Sequence, residues 1–375
     1  MKIAVNTRLL LKNKLEGIGW FTFESLKRIT QQHKEHEFIF IFDRPYSDDF
    51  IFGDNITPVV TGPPARHPIL YYIWFNYSVP KVLSTHKVDL FLSPDGYIPL
   101  NCKVKTLAVF HDLNFEHYPK DLPSSERYYY RKYFPRFAKN ATRIATVSEY
   151  SKKDICELYK VDEGKVDVVY NGANEKFTPL PANIKKLVVE KHTGGKPYFI
   201  FIGALNPRKN LVNLMKAFDL FKKNDRSSVQ LLIVGEKMFK TDEIFETYEQ
   251  MSYKADVVFS GRLNALELHK ALASALALTY VSYFEGFGIP IVEAFYTGTP
   301  VITSNVTSMP EVAGDAALLV DPFSPEDISL ALKKVSENAD LRAELIEKGN
   351  QRKLKFHWQN TADNLWKSIN KTVNQ

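Results

Sequence analysis

Short runs of β-branched and aromatic residues alternate along this chain with longer stretches in which apolar residues recur every three to four positions. This alternation is typical of α/β proteins, in which helices cover a mostly parallel sheet. In the first half of the chain the pattern predicts strands at 2–6, 38–42, 90–92, 106–110, 143–147 and 166–169. The helices predicted between these strands lie at roughly 18–33, 70–85, 124–139 and 149–158.

A second series begins after the polar segment 171–174 and the proline-bearing stretch 177–181. Its predicted strands lie at 198–202, 229–234, 257–259, 277–280, 300–303 and 317–320, and its predicted helices near 209–222, 264–273, 290–297, 309–313 and 325–337. Two such series joined by a linker predict two Rossmann-like domains that face each other across a cleft. Ligands of such sheets bind beyond the carboxyl ends of the strands, so we expect the functional site there.

The composition fits a two-domain enzyme, because 375 residues are enough for two separate cores. No run approaches the roughly 18–20 apolar residues of a membrane span, and the chain starts directly with a strand, without a signal-peptide pattern. Cys102 and Cys156 have no metal-site spacing and fit a reducing compartment. The net charge of +6 suits phosphorylated substrates and work near an anionic membrane, and is too small to indicate nucleic-acid binding. The predicted location is the cytoplasm, including the inner face of the cytoplasmic membrane.

The segment 285–293 carries the most informative chemistry of the chain. Glu285 precedes a glycine-rich loop, and Glu293 lies in the predicted first turn of the helix that follows. A carboxylate accepts two hydrogen bonds, so one glutamate could hold the hydroxyls of a hexose and the other those of a ribose. A nucleotide-sugar offers both diols, joined by a pyrophosphate. The alternative is that Glu293 complements the helix dipole and that Glu285 is solvated.

Glycines and a proline shape the same segment. Gly286 and Gly288 leave backbone N–H groups accessible beside a helix N-terminus, where anions or sugar hydroxyls can bind. Pro290 suits the first helical position, and Gly298 predicts the end of a short helix.

Arg208 and Lys209 follow a predicted strand and lie at the start of a predicted helix. Two cations at a helix N-terminus are electrostatically unfavourable for the helix itself. We therefore expect them to neutralise an anion, for which a pyrophosphate is the obvious candidate. A solvated basic corner is the alternative interpretation.

Several segments, taken in order, resemble the family 4 glycosyltransferases of GT-B fold. The segments are Gly17-Ile18-Gly19, Phe110-His111-Asp112, Val147-Ser148-Glu149-Tyr150-Ser151, Tyr170-Asn171-Gly172, the stretch 203–210, Phe259-Ser260-Gly261-Arg262-Leu263, Glu285 with Glu293, Thr299-Pro300-Val301-Ile302 and Phe356-His357-Trp358. The chain looks most similar to bacterial mannosyltransferases of surface-polysaccharide assembly. The resemblance implies retaining, metal-independent transfer from a nucleotide-diphosphate sugar, without a further cofactor.

The resemblance also implies which residues form the site. Catalytic roles fall on His111, Arg208, Lys209 and Glu285. Donor binding falls on Gly17, Gly19, Ser148, Gly203, Arg208, Lys209, Arg262, Leu263, Glu285, Gly286, Phe287, Gly288, Ile289 and Glu293. In this assignment His111 lies beside the donor sugar, although a histidine at a strand end is often structural.

Other residues of this set also have a purely structural interpretation. Gly17-Ile18-Gly19 lies between the first strand and a helix; the resemblance implies a loop that faces the donor phosphates and the acceptor, and a simple turn is the alternative. Ser148 is a candidate N-cap as well as a border of the sugar pocket. Leu263 matches the place where the nucleotide base packs, and Arg262 either stacks on the base or is solvated.

The expected reaction moves a hexosyl group, a mannosyl group first, from a nucleotide-diphosphate sugar to a saccharide or lipid-linked saccharide. GDP-mannose is the first candidate donor and a UDP-linked sugar the second. The alternatives are a nucleotide-sugar epimerase of GT-B fold and a non-catalytic nucleotide-sugar-binding protein. A nicotinamide-dependent dehydrogenase is disfavoured, because neither domain has the Gly-x-Gly-x-x-Gly turn.

The domain boundaries expected from these patterns are 1–178, 179–355 and a C-terminal helix, 356–375, that the resemblance places back on the N-terminal domain. Two aromatic stretches, 68–77 and 127–139, are candidate interaction surfaces. They are candidates for a membrane-apposed face that receives a lipid-linked acceptor. The alternative is that one aromatic face of these stretches is core and that the cations form its solvated rim.

Overall fold

A computed structural model of the chain describes residues 1–174, 176–225, 227–238 and 241–375. The chain divides into two compact units. The first consists of Met1–Gly172 together with Trp358–Gln375, and the second of Ala173–His357. Both change-over points lie within a few residues of the predicted boundaries at 178 and 355.

The first unit contains a seven-stranded, all-parallel sheet with the order β3-β2-β1-β4-β5-β6-β7. Its strands are β1 (Lys2–Asn6), β2 (Glu37–Phe42), β3 (Ile56–Val60), β4 (Leu90–Ser93), β5 (Lys105–Phe110), β6 (Arg143–Thr146) and β7 (Val166–Val168). The predicted strands are confirmed to within one residue at each end, but the edge strand β3 is missing from the prediction. Pro58 interrupts its apolar pattern, and prolines are tolerated on edge strands.

The helices of this unit are α1 (Gly17–Gln32), α2 (Pro68–Ile73), α3 (Val79–His86), α4 (Asn114–His117), α5 (Ser124–Asn140) and α6 (Glu149–Tyr159). The helix predicted at 70–85 is present as a continuous helical stretch, but a π-helical turn that the prediction missed, Trp74–Ser78, divides it into α2 and α3. In that turn the Val79 N–H donates to the Trp74 carbonyl, five residues back. Pro80 has no N–H to continue the regular ladder, which is where such a shift of register is least costly.

The second unit contains a six-stranded, all-parallel sheet with the order β10-β9-β8-β11-β12-β13. Its strands are β8 (Tyr198–Ile202), β9 (Gln230–Val234), β10 (Val257–Gly261), β11 (Ala277–Tyr280), β12 (Val301–Ser304) and β13 (Leu318–Val320). Its helices are α7 (Ala182–Thr193), α8 (Leu211–Asp225), α9 (Asp242–Gln250), α10 (Ala265–Ala273), α11 (Ile289–Thr297), α12 (Met309–Ala313), α13 (Pro325–Glu337) and α14 (Ala339–Arg352). Each sheet thus has the strand order of a Rossmann-like fold, and its order reverses at a switch point, between β1 and β4 or between β8 and β11.

Three helices of the second unit, α7, α9 and α14, are absent from the prediction. Each buries few side chains: Val188 and Thr193 in α7, Ile244 and Thr247 in α9, and Leu345 with Gly349 in α14. Helices α7 and α14 accordingly show only a weak apolar period in their sequences, whereas α9 is amphipathic but, at nine residues, short.

The last helix, α15 (Trp358–Val373), belongs to the first unit. There it packs against α1, and the ring of Trp366 stacks on that of His33 with 3.8 Å between centroids. Thr361 also donates a hydrogen bond to the Tyr170 carbonyl oxygen at 2.7 Å. Within the described residues, no helix combines the length and apolar composition that spanning a membrane requires.

Candidate active site

The predicted cations and Glu285 meet at the switch point of the second unit. Arg208 and Lys209 lie in a 3₁₀ turn, Pro207–Lys209, that follows β8, while Glu285 follows β11. Strands β8 and β11 are neighbours and parallel, so their carboxyl ends lie side by side. Open α/β sheets bind their ligands at this position.

Asparagines fix the turn that carries the two cations. The side-chain oxygen of Asn206 accepts a hydrogen bond from the Lys209 N–H at 3.3 Å. The buried Asn210 amide donates to the carbonyl oxygens of Val281 and Pro322 at 2.9 and 2.7 Å. Asn210 has a φ of +60°, a conformation that asparagine tolerates better than most residues. The turn is thereby tied to the segment that follows β11.

Glu285 forms ion pairs with both Arg208 and Lys209. Its Oε2 lies 2.6 Å from Arg208 Nη1, and its Oε1 lies 2.7 Å from Lys209 Nζ. Only 6 % of the Glu285 surface is exposed. Burial alone would raise the pKa of Glu285, but the charges of Arg208 and Lys209 outweigh it and lower the pKa to about 2. Glu285 is therefore ionised and is not the solvated carboxylate of the alternative interpretation.

This ion pair also corrects the electrostatic argument drawn from the sequence. The two cations are already partly neutralised, because Glu285 supplies one negative charge against their two positive ones. One net positive charge remains in the cluster. An anion that binds there gains less than it would from two unpaired cations.

Tyr280 is a residue of this cluster that the sequence analysis missed. It ends β11, is almost completely buried, and its hydroxyl accepts a hydrogen bond from Lys209 Nζ at 2.5 Å. The same ammonium lies 4.7 Å from the centre of the Tyr280 ring. Burial and the negative charge of Glu285 raise the pKa of this phenol, so it stays protonated. Its position at the end of a strand beside the switch point is the signal that could have indicated it.

Thr307 and Ser308 hold the loop after β11. The Ser308 hydroxyl donates to the carbonyl oxygens of Glu285 and Phe287 at 2.8 and 3.3 Å, and the Glu285 N–H donates to Thr307 Oγ1 at 3.3 Å. Thr307 has a φ of +57°, which is costly for a β-branched residue. Its strained backbone is therefore maintained by the surrounding contacts.

Helix α11 starts and ends close to the predicted positions. Gly288 is its N-cap, with a φ of +99°, and a Cβ at that position would lie 3.0 Å from Ile291 Cδ1. Ile289 is the first helical residue, so Pro290 takes the second position instead of the predicted first one. Gly298, with a φ of +66°, ends the helix as predicted.

Glu293 is the fifth residue of α11, so its predicted place in the first helical turn is wrong. The effect of the helix dipole fades beyond the first turn. Stabilisation of the helix dipole therefore does not explain this carboxylate. Glu293 is half-buried and forms no hydrogen bond or ion pair with the described part of the chain. Burial raises the pKa of Glu293 to about 7. The two glutamates of the motif thus have opposite electrostatic environments, which is typical of paired functional carboxylates.

Aromatic contacts connect the segment 356–357 to the glycine loop and α11. The buried Phe287 ring meets that of Phe356 edge-on, with 5.4 Å between centroids. The Tyr296 hydroxyl lies 2.8 Å from His357 Nδ1. These contacts give the family-like segment Phe356-His357 a role in packing.

The remaining donor-side residues are less tightly held. Gly203 follows β8 with a φ of +156°, and a Cβ there would lie 3.4 Å from Lys209 Cε. Arg262 is exposed and lies 3.9 Å from a Glu236 carboxylate oxygen, and its stacking on the nucleotide base stays a prediction. Leu263 is half-buried beside it.

His111 and Ser148, two of the predicted residues of the first unit, lie near the carboxyl ends of β5 and β6. His111 Nε2 lies 2.8 Å from the Pro94 carbonyl oxygen, which can only accept, so Nε2 carries the proton and Nδ1 is an acceptor in the neutral ring. Burial lowers the pKa of His111, which keeps the ring neutral at pH 7. Ser148 caps α6 by accepting from the Ser151 N–H at 3.0 Å, as predicted.

Gly17 and Gly19 lie inside the first turn of α1, which corrects the expectation of a loop between the first strand and a helix. Gly19 is buried, and a Cβ there would lie 3.1 Å from the Leu9 carbonyl oxygen. At Gly17 a Cβ would meet no described atom within 4 Å. Gly19 is therefore explained by packing, and the exposed Gly17 is the better candidate for contact with a ligand.

The switch point of the first unit holds a buried ion pair that the sequence analysis also missed. Arg8 Nε lies 2.6 Å from Asp95 Oδ2, and the Asn6 amide donates to Asp95 Oδ1 at 2.7 Å. The Arg8 guanidinium lies 4.7 Å from the centre of the Tyr97 ring. These contacts tie the chain after β1 to the chain after β4, and residues so far apart in sequence give no local signal.

Comparisons with known proteins bear directly on this site. The model of Glycosyltransferase Family 4 matches residues 16–177, and that of Glycosyl transferases group 1 matches residues 184–352. The chain belongs to the family 4 glycosyltransferases. The segment that holds Arg208, Lys209, Glu285 and Glu293 lies within the second match.

Relatives of this glycosyltransferase include enzymes of polysaccharide assembly. It is 26 % identical over 371 residues to O-antigen chain mannosyltransferase B of Escherichia coli, covering 96 % of this chain and 97 % of the relative. It is 29 % identical over 274 residues to O-antigen chain mannosyltransferase RfbU of Salmonella typhimurium, covering 73 and 72 %.

Solved structures show the GT-B fold. Sucrose-phosphate synthase of Thermosynechococcus elongatus superposes with a TM-score of 0.79 at 16 % identity, covering 99 % of this chain and 98 % of that one. Anabaena Alr3699/HepE in complex with UDP-glucose superposes with a TM-score of 0.78 at 15 % identity, covering 99 and 100 %.

Proposed function

We propose that this glycosyltransferase moves a mannosyl group from GDP-mannose to a saccharide acceptor, free or carried on a lipid, with retention of anomeric configuration. The two O-antigen mannosyltransferase relatives support the sugar, and a UDP-linked hexose is the second candidate donor. Free, half-buried Cys102 and Cys156 suit work in the cytoplasm, where thiols stay reduced.

The observation that carries this proposal is the cluster of Arg208, Lys209 and Glu285 at the switch point of the second unit. A departing nucleoside diphosphate gains negative charge as the glycosidic bond breaks. Fixed cations at that place stabilise the developing charge more than the bound donor, which is what lowers the barrier. We assign this task to Arg208 and Lys209. They supply the positive charge that a divalent cation supplies in other transferases, so no metal is part of the proposal.

The two glutamates take separate halves of the donor in this proposal. Glu293 has no protein partner in the described residues, so its carboxylate is available for the two ribose hydroxyls. Glu285, with the loop of Gly286, Phe287 and Gly288, contacts the sugar.

Retention without an enzyme nucleophile requires attack on the face that the diphosphate leaves. In the proposed step the acceptor oxygen bonds to the anomeric carbon as the carbon–phosphate oxygen bond breaks, through an oxocarbenium-like state. The leaving diphosphate takes the proton of the acceptor hydroxyl. His111 is assigned to the sugar hydroxyls, because neutral Nδ1 can accept a hydrogen bond.

Product analysis tests the proposal. The protein is incubated with GDP-mannose, and in parallel with a UDP-hexose, with and without a mannose-containing oligosaccharide. We expect GDP release only when the acceptor is present, and a product with the anomeric configuration of the donor by NMR. Conversion of the sugar without acceptor would indicate an epimerase instead. Tight binding without turnover would indicate a binding protein, and an inverted product would contradict retention.

A further inference from the structure

The first unit exposes a group of apolar side chains on α2, on the π-helical turn after it and on α5. Ile69, Tyr77 and Tyr128 each expose 64 to 66 % of their surface, and Tyr72 and Ile73 more than a third. Two cations of α5, Lys132 and Arg136, lie beside them and are exposed. The aromatic-basic face is defined here as Ile69, Tyr72, Ile73, Tyr77, Tyr128, Lys132 and Arg136.

Ring contacts make this face continuous across the two helical segments. The Tyr72 ring centroid lies 5.8 Å from that of Tyr133 on α5. The Lys132 ammonium lies 5.2 Å from the centre of the Tyr128 ring, and the Arg136 guanidinium 5.6 Å from that of Tyr133. These are cation–π distances, so rings and cations form a single patch.

Helix α5 separates core residues from this patch. Phe134 and Phe137 are buried, whereas Tyr128, Lys132 and Arg136 follow one another at intervals of four and share an exposed stripe. One aromatic face of α5 is therefore core, as the alternative interpretation expected, but Tyr128 lies outside that face and is exposed. Packing within this unit does not explain why Tyr128 and the α2 isoleucines, Ile69 and Ile73, are apolar side chains exposed to solvent.

The charge of the patch is strongly one-sided. Residues 68–86 and 124–140 contain six lysines and arginines and a single carboxylate, Glu126. Arg131 is paired with Glu116 at 3.1 Å. In contrast, Lys132 and Arg136 have no carboxylate within 4.0 Å in the described part of the chain. Apolar side chains and unpaired cations therefore share one surface.

We propose that the aromatic-basic face docks on a bilayer that contains anionic phospholipids. Headgroup phosphates attract the cations, tyrosine rings suit the interface, and isoleucine side chains reach the acyl boundary. A second copy of this chain would oppose like charges at the same face. A single-stranded nucleic acid would gain nothing from Ile69 or Ile73, which offer no ring for a base to stack on.

Vesicle co-sedimentation of the full chain tests this docking without any sugar donor, so its outcome is independent of the proposed transfer. The vesicles are phosphatidylcholine alone and phosphatidylcholine mixed with phosphatidylglycerol. We expect binding to the mixed vesicles only, and weaker binding as salt screens the charges.

Two double variants and two matched controls locate the surface. Lys132→Gln with Arg136→Gln should weaken binding by at least about tenfold, since each cation near an anionic surface contributes roughly a factor of five. Ile69→Ser with Tyr77→Ser should weaken it similarly. Leu187 on α7, in the second unit, is 66 % exposed, close to the values of Ile69 and Tyr77, so Leu187→Ser is the apolar control. Lys216→Gln removes an exposed cation of α8 and is the charge control. Both controls should bind as the wild type does.

Three results would overturn the proposal. The first is no binding to mixed vesicles, or equal binding to neutral ones. The second is wild-type binding by either double variant. The third is self-association in sedimentation equilibrium, or binding of a single-stranded oligonucleotide, that the double variants abolish while vesicle binding is absent. Melting curves of the variants check that these exposed substitutions leave the fold intact.

Discussion

At the scale of single residues, the opposite environments of Glu285 and Glu293 are the most consequential feature. Arg208 and Lys209 hold Glu285 ionised, whereas burial without a partner raises the pKa of Glu293 to about 7. The raised value means that Glu293 loses its proton as pH rises through neutrality. The ionised form presents both oxygens as strong, charged acceptors to the two ribose hydroxyls, whereas protonation turns one of them into a donor.

The affinity for GDP should therefore increase as pH rises from 6 to 8, by up to about tenfold. Calorimetric titrations of the wild type across this range measure the effect. Because phosphate also titrates near pH 6, the comparison is with Glu293→Gln, which should bind GDP more weakly and lose the extra pH dependence. Glu285→Gln is the isosteric control and should keep it. Identical pH profiles in wild type and Glu293→Gln would contradict the assignment.

Tyr280 gives a second prediction at this scale. Tyr280→Phe removes the hydroxyl that accepts from Lys209 Nζ but keeps the ring beside the ammonium. We expect turnover to fall about tenfold, because a hydrogen bond to a charged group is lost, with a smaller change in donor KM. Steady-state kinetics measure both. The matched control is Tyr198→Phe, which removes the buried hydroxyl that donates to the Ala271 carbonyl at 2.7 Å. Equal kinetic losses in both variants would mean that Tyr280 acts only through stability.

At the scale of elements, α15 completes the first unit, and its Trp366 stacks on His33. Trp366→Ala should destabilise that unit by about 2 kcal/mol, less than a fully buried tryptophan because the ring is half-buried. Scanning calorimetry should show a lower Tm. GDP affinity should stay unchanged, because Arg208, Lys209 and Glu293 all belong to the second unit. An unchanged Tm would show that the stacking contributes nothing.

The strands of both sheets were the most predictable elements, because buried parallel strands appear as short apolar runs. The strand β3 was missed because of Pro58, and α7 and α14 were missed because they bury few side chains and so show a weak apolar period. The short helix α9 was missed although its nine residues are amphipathic. Within the site, Arg208, Lys209 and Glu285 were predicted individually. Their mutual ion pair joins residues 76 positions apart, and no local pattern encodes such a contact.

At the scale of the whole molecule, both units repeat one strand order, and each places polar side chains at its switch point. Arg8 and Asp95 occupy that of the first unit, and Arg208, Lys209 and Glu285 that of the second. The first pair is almost balanced in charge, whereas the second cluster keeps a net positive charge. An anionic donor should therefore bind to the second unit. The positive charge that neutralises the donor should come from side chains of that unit.

Transfer should accordingly survive a strong chelator with less than about a twofold loss of rate, because no step of the proposal needs a divalent cation. The measurement is GDP release in the presence of acceptor, with and without EDTA. A complete loss of GDP release with EDTA, reversed by adding Mg²⁺ or Mn²⁺, would contradict the assignment of the positive charge to side chains.

The most direct test of the central claim is the turnover of Lys209→Ala at saturating donor and acceptor. We expect turnover to fall roughly 10- to 100-fold, the equivalent of one charge-assisted hydrogen bond to the leaving diphosphate, in a variant that still folds. Lys216→Ala, which removes an exposed cation one helix away, should turn over as the wild type does. If Lys209→Ala kept more than about half of the wild-type rate, the cluster at the switch point would not be the site of diphosphate departure.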